Sequence, residues 1–260
     1  KKFIDDSNPL GIMTIDDKLC LGAKECGRRS LQIMLGVFEG NKIISNSISY
    51  EGPFGVGYLT AKFTKGEIGD SILKNIENFQ KKKIENTLKN EDDYVTLARK
   101  TIEGYIREGK KIDYKQLNLK EEMLNTKHGV FVTIHDDRGL RGCIGTYAPT
   151  TENVAKEIVE NAIKSATKDP RFDPLEINEL DNITISVDIL MESVRVDDIK
   201  ELDPKEYGII VRSSYKSGLL LPDLDGVDTV QKQIEIVKSK AGITDDEEFT
   251  LERFSVIRHH

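Results

Sequence analysis

Arg141 and Cys143 stand two residues apart in Leu140-Arg141-Gly142-Cys143-Ile144-Gly145, directly after a strand-like run. A guanidinium beside a thiol stabilises the thiolate, the nucleophilic form, so the pair reads as a candidate catalytic nucleophile and its activator. Side chains alternate along a strand, which places both residues on one face. His135 lies across the predicted hairpin turn and is a candidate base or substrate contact. Arg171 sits in the proline-bracketed segment Asp169-Pro170-Arg171-Phe172-Asp173-Pro174. Its planar fork suits a carboxylate or phosphate, so it is a candidate anion clamp. Each residue also has a plainer reading. A strand facing the core makes Cys143 a small buried apolar residue. The glycines then serve close packing, and Arg171 pairs with Asp169 or Asp173.

The elements that must carry these residues lie in residues 91–260. Asp92 to Glu108 is predicted as an amphipathic helix through Val95, Ala98, Ile102 and Tyr105–Ile106, with Gly109 as its stop. Gly129 to Ile134 reads as a strand, Asp136-Asp137-Arg138-Gly139 as a turn, and Leu140 to Thr146 as the returning strand. Thr151 is expected to begin a helix that Asp169-Pro170 ends. Ile183 to Met191, Gly208 to Arg212, Ser217 to Leu221 and Phe249 to Ile257 read as further strands, and Val227 to Ala241 as a helix. Strands and helices interleave without regular βαβ spacing, which predicts an α+β fold with a mixed or antiparallel sheet.

Residues 1–66 form a separate block. Asp16 to Gly22 opens a helix that Ala23 to Phe38 is expected to continue, and two strands follow over 43–50 and 56–63. At Glu25 and Cys26 the residues themselves predict a helix N-terminus, where an acidic side chain is favoured. Residues 67–90 are polar and lysine-rich, with Ile68, Ile72, Ile76 and Phe79 at helical spacing, and are read as a solvated helical linker. The chain opens on Lys1 and Phe3-Ile4-Asp5-Asp6 like the middle of a sequence, so a fragment of a longer chain is expected.

Among 260 residues, 38% are hydrophobic and 32% charged, as in globular proteins. The net charge is -7 with both signs mixed throughout, which argues against a dedicated nucleic-acid surface. No apolar run approaches the roughly 20 residues of a membrane span. Three scattered cysteines, Cys20, Cys26 and Cys143, suit reduced thiols in a cytoplasmic protein. His259 and His260 end the chain and receive no role.

His128-Gly129-Val130-Phe131-Val132-Thr133, Leu140 to Thr146, Asp169-Pro170-Arg171-Phe172, Ser217 to Pro222 and Glu252-Arg253-Phe254 together resemble the AMMECR family. Its bacterial and archaeal members are called AmmeMemoRadiSam system protein A. The resemblance covers about residues 91–258, in order, and several motifs agree in register. It implies a two-lobed α+β domain with a groove between the lobes, and no settled activity. A small anionic or aromatic substrate in that groove would meet Arg141 and Arg171, with Cys143 nearby. The system name implies a radical S-adenosylmethionine enzyme as partner. The alternative is a scaffold that accepts a peptide or protein and performs no chemistry.

Glu25-Cys26-Gly27-Arg28-Arg29 and Ser49 to Tyr58 resemble a different family, the C-terminal end of the class III extradiol dioxygenase B-subunit fold that Memo proteins share. This implies an α/β remnant over 1–66. In that family two N-terminal histidines and a later acidic residue hold ferrous iron, and Memo-like members use a cysteine in third place. Cys26, with Glu25 adjacent, matches that cysteine, and Arg29 stands where the Memo motif has histidine. The two histidines have no counterparts here, so Glu25 and Cys26 form at most an incomplete metal site. Iron and ring-cleaving activity are then expected only in a longer chain, and no cofactor is expected for these 260 residues alone.

Overall fold

Residues 1–86 and 87–260 are two units of the computed structural model. It describes residues 1–224 and 226–260, with the side chains of residues 17, 18 and 21 outside the description.

The first unit starts with α1 (Lys2–Asp5), α2 (Pro9–Met13), α3 (Asp17–Ala23) and α4 (Arg28–Gly36). The continuous helix expected from residue 16 to 38 is thus two helices. Lys24 adopts a left-handed φ of 50°, and Glu25 Oε2 accepts the Arg28 N–H at 2.7 Å, which starts α4 afresh. An antiparallel ribbon follows, β1 (Asn41–Glu51) with β2 (Tyr58–Ile68). Then comes α5 (Ile72–Lys89). Ile4, Ile12, Leu35, Ile43 and Ile72 form this unit's core, and Ile76 packs against it. Ile72 and Ile76 therefore make the start of α5 part of the unit. The sequence drew a free linker there because a short apolar stripe in a lysine-rich segment has no visible partner until the ribbon is folded.

The second unit has two lobes. Its helices and strands run α6 (Asp93–Glu108), α7 (Glu121–Asn125), β3 (Gly129–Asp136), β4 (Gly139–Gly145), α8 (Val154–Thr167), β5 (Thr184–Leu190), β6 (Val194–Val196), β7 (Gly208–Ser213), β8 (Lys216–Leu220), α9 (Val230–Ala241), β9 (Thr250–Phe254) and β10 (Val256–His259). One sheet has the order β10-β5-β3-β4 and the other β6-β9-β7-β8, and every described pairing is antiparallel.

On the inner face of the first sheet, Val130, Val132, Ile134, Ile185, Val187 and Ile189 pack against α6 and α8. The alternation of β3 and the stripe of α6 bury the residues that their spacing selects. Asp92 caps α6 through the Tyr94 and Val95 N–H groups, and Gly109, at φ 67°, ends it. The terminal histidine does have a structural place. The ring of His259 stacks on Tyr94 at 3.9 Å, and its Nδ1 meets the Asp92 carboxylate.

Three expectations shift. The helix expected from Thr151 begins at Val154, because Asn153 Oδ1 accepts the Lys156 N–H while the Thr150 and Thr151 N–H groups are taken by Glu157. The helix expected from Val227 begins at Val230, capped by Thr229. The single last strand is two strands in two sheets. β9 pairs with β6 and β7, the chain crosses at Ser255, and β10 pairs with β5. Around this crossing Leu190, Ile210 and Phe254 are buried, with Phe131, Leu219, Leu221 and Val256 packed on them, so an apolar seam joins the lobes.

Candidate functional site

The outer face of the first sheet carries the chemistry. Pairing sets its side chains in rows across the strands. One row is Arg258, Asp188, Phe131 and Gly145. The next is Ser186, Thr133 and Cys143. Cys143 is half-buried, and the Thr133 hydroxyl donates to its Sγ at 3.3 Å. Burial pushes the thiol up from its ordinary pKa, against the Thr133 hydrogen bond and the Arg171 charge, which lower it. Neutral thiol is therefore its resting form.

Arg141 does not stand beside Cys143 in the expected way. Ile134 pairs with Gly142 and His135 with Leu140, which leaves Arg141 as the extra residue of a β-bulge. The bulge turns its side chain to the strand edge. There Nε and Nη2 meet Glu179 at 2.7 and 3.0 Å, and Nη1 donates to the Asp173 carbonyl at 2.9 Å. With 11% of its side chain exposed, Arg141 is a structural tie. Strict alternation cannot anticipate an inserted residue.

Arg171 does face Cys143. Its Nε and Nη2 bond the Asp169 carboxylate at 2.9 and 2.7 Å, and Nη2 reaches the Cys143 carbonyl at 3.3 Å. Asp169 is buried and also accepts the Cys143 N–H at 2.8 Å. The Arg171 bond holds the Asp169 carboxyl well below the usual carboxylate range. So Arg171 has the ion pair that its plainer reading expected, and its side chain is still 52% exposed.

His135 has no hydrogen bond to Cys143 among the described residues, and the thiol's partner is Thr133. Burial, then the positive charge of Arg258, lowers the His135 pKa. That second charge is the residue the sequence reading missed. Arg258 bonds the buried Asp188 through Nε and Nη2 at 2.7 and 3.1 Å, in the row of the sheet next to that of Thr133 and Cys143. The pairing joins residues 70 positions apart, and the only local signal was a cation in the last alternating stretch.

The motif glycines serve packing. A β-carbon on Gly142 would lie 2.4 Å from the Ser165 carbonyl oxygen of α8, and one on Gly145 would lie 2.2 Å from the Phe131 ring. Ser165 Oγ also accepts the Ile144 N–H at 2.8 Å.

Glu25 and Cys26 lie ahead of α4. Glu25 is spent on the Arg28 N–H, and Cys26 is exposed. Among the described residues no three His, Cys, Asp or Glu side chains gather as a metal site. This thiol and one engaged carboxylate do not make up the ligand set of a ferrous ion. No described helix is long and apolar enough to cross a membrane.

Known proteins are similar to this chain. The chain is 43% identical to a Clostridium acetobutylicum protein over 256 residues, 98% of the chain and 54% of that relative. It therefore spans about half of that protein's length. A Thermotoga maritima protein is 50% identical over 171 residues, 65% of the chain and 98% of that relative. The crystal structure of an uncharacterized protein from Pyrococcus horikoshii superimposes with a TM-score of 0.58 at 28% identity, covering 64% of the chain and 88% of that structure. The profile of the AMMECR1 family matches residues 95–259. With both lobes and the outer-face motifs inside that match, the chain belongs to the AMMECR1 family.

Proposed function

We propose that the second unit binds a compact anionic small molecule on the outer face of its first sheet, between Arg171 and Arg258 and against Cys143. One observation carries the reading. Each guanidinium has its Nε and Nη2 clamped by a buried aspartate, Asp169 or Asp188. In each, Nη1 has no hydrogen-bond partner among the described residues. Two donors pre-oriented by buried carboxylates suit an anion better than a diffuse protein surface does. Cys143 is a contact to the ligand in this reading, because burial keeps it protonated.

The test is iodoacetamide labelling of Cys143, read by peptide mass spectrometry, with inorganic phosphate, sulfate or simple dicarboxylates present. At least one of these anions should slow labelling of Cys143 and leave Cys26 unaffected. Arg171→Ala and Arg258→Ala should each remove the protection. Equal labelling with every anion would refute the site.

For residues 1–86 we propose a part in a larger dioxygenase-B-like or Memo-like domain of a longer chain. Ile33, Val37, Ile44 and Ile48 expose most of their side chains in this unit, as an uncovered domain face would. Ferrous iron and work alongside a radical S-adenosylmethionine enzyme belong to that longer chain. Iron analysis of a natural full-length protein tests the reading: loss of bound iron in Cys26→Ser supports it, and its absence from the wild type refutes it.

A further inference from the structure

Beyond Phe131, at the other end of the same sheet face, a cleft of about 390 Å³ opens beside the apolar seam. Lys127, His128, Tyr147, Glu192, Arg212 and Phe254 are among its lining residues. The volume lies within the range of small-molecule pockets.

His128 Nδ1 lies 3.1 Å from the Leu190 carbonyl oxygen. A carbonyl only accepts, so Nδ1 carries the proton and donates. In the neutral ring Nε2 is then a lone-pair acceptor left for a ligand. Arg212 Nε donates to Glu252 at 2.8 Å, and the Ser193 hydroxyl donates to the other oxygen of the same carboxylate at 2.6 Å. Arg212 and Glu252 thus form an ion pair of their own. Lys127 and Glu192 are different. Both line the cleft, and neither has an ion-pair partner among the described residues. The cleft therefore offers, at its exposed rim, one cation and one anion without an ion-pair partner among the described residues, and one nitrogen acceptor inside. Leu190, Met191, Ile210 and Phe254 give it an apolar wall.

We infer that this cleft binds a zwitterionic small molecule, an α-amino acid with an apolar side chain. Its carboxylate meets Lys127, its ammonium meets Glu192 and His128 Nε2, and its side chain lies on the wall formed at Ile210 and Phe254. A simple carboxylate would leave Glu192 unmatched, and a simple amine would leave Lys127 unmatched. The site is separate from the anion site at Cys143, because Phe131 sits over Gly145 between them.

Isothermal titration of the 260-residue chain tests this with L-phenylalanine, 3-phenylpropionate and phenethylamine, which share a ring and differ in charge. L-Leucine, L-methionine and L-tyrosine complete the set. At least one amino acid should bind saturably, with L-phenylalanine about tenfold tighter than either singly charged analogue, one decade being about 1.4 kcal/mol. Lys127→Ala should level L-phenylalanine with phenethylamine, and Glu192→Gln should level it with 3-phenylpropionate. His128→Asn keeps a donor for the Leu190 carbonyl and loses Nε2, so it should weaken amino-acid binding while circular dichroism stays native. Labelling of Cys143 by iodoacetamide should not change with L-phenylalanine. No saturable binding of any amino acid, equal affinity for the three phenyl compounds, unaltered binding in all three variants, or protection of Cys143 would each overturn the inference.

Discussion

Arg141 and Glu179 meet edge to edge, Nε to Oε1 at 2.7 Å and Nη2 to Oε2 at 3.0 Å, and so join the bulge of β4 to the turn at Ile177–Asn182. The pair is mostly shielded, with side-chain exposures of 11% and 25%. Removing one partner leaves a charge with little water to replace it. Arg141→Ala is expected to cost about 2 kcal/mol, between the values for a charged hydrogen bond and for a fully buried pair. Arg141→Lys should recover less than half of that, because an ammonium cannot make the two-point contact. Urea unfolding midpoints measure both, and a wild-type midpoint for the alanine variant would contradict the assignment.

The two motif glycines should fail differently. Gly145→Ala drives a methyl group into the Phe131 ring, and Gly142→Ala drives one into a backbone carbonyl of α8. Overpacking of this kind costs about 1–3 kcal/mol. Shortening Phe131 to leucine should offset part of the Gly145→Ala loss, since a side chain is what is in the way. No single side-chain replacement should relieve Gly142→Ala. Double-mutant cycles on thermal midpoints separate the cases.

Cys143 should be the slow thiol. Burial raises its pKa, whereas Cys26 is exposed. At pH 7 iodoacetamide should modify Cys26 well before Cys143, and Cys143 labelling should rise steeply only at a pH above the ordinary thiol range, because burial holds its pKa up. Arg171→Ala removes a charge that favours the thiolate, so labelling of Cys143 in that variant should slow further. Faster labelling would mean that Arg171 acts as a steric cover.

Acid should loosen the second unit through identifiable carboxylates. The Arg171 hydrogen bond lowers the Asp169 pKa, and the Arg141 hydrogen bond lowers that of Glu179. Burial works to raise Glu157, but hydrogen bonds from Thr146, Thr150 and Thr151 outweigh it and hold this carboxyl below its ordinary value as well. A folded pKa below the unfolded one gives stability that is complete above the unfolded value and is lost as pH falls through the folded one. Urea midpoints should therefore hold from pH 7 to about pH 5 and fall below about pH 4, where unfolded carboxylates titrate. Asp169→Asn should lower the neutral plateau and flatten the decline. A decline as steep as in the wild type would move the acid response to other groups.

Much of the second unit is legible along the chain. Val130, Val132 and Ile134 bury because they alternate, and Val95, Ala98 and Ile102 bury because they fall on one side of a helix. Asp92 and Gly109 bound that helix through contacts within a few residues. The site was less legible. Arg171 and Cys143 were named, yet Arg258 was not, because Asp188, which aims it, comes from another strand. The start of α5 is illegible for a similar reason: Ile72 becomes a core residue, with Ile76 packed on it, only when the ribbon is present to cover them.

By itself the sequence determined the kinds of elements, most of their limits and the motif of the family, because side-chain periodicity, caps and glycine stops act over a few residues. Only the tertiary structure decided what Arg141, Arg171 and Arg258 do. A bulge turned Arg141 to Glu179, whereas the buried Asp169 and Asp188 fixed the guanidiniums of Arg171 and Arg258. Which charges are spent and which stay available depends on the carboxylates and carbonyls that folding buries beside them. Those partners come from segments distant in the chain, so no local spacing encodes the answer.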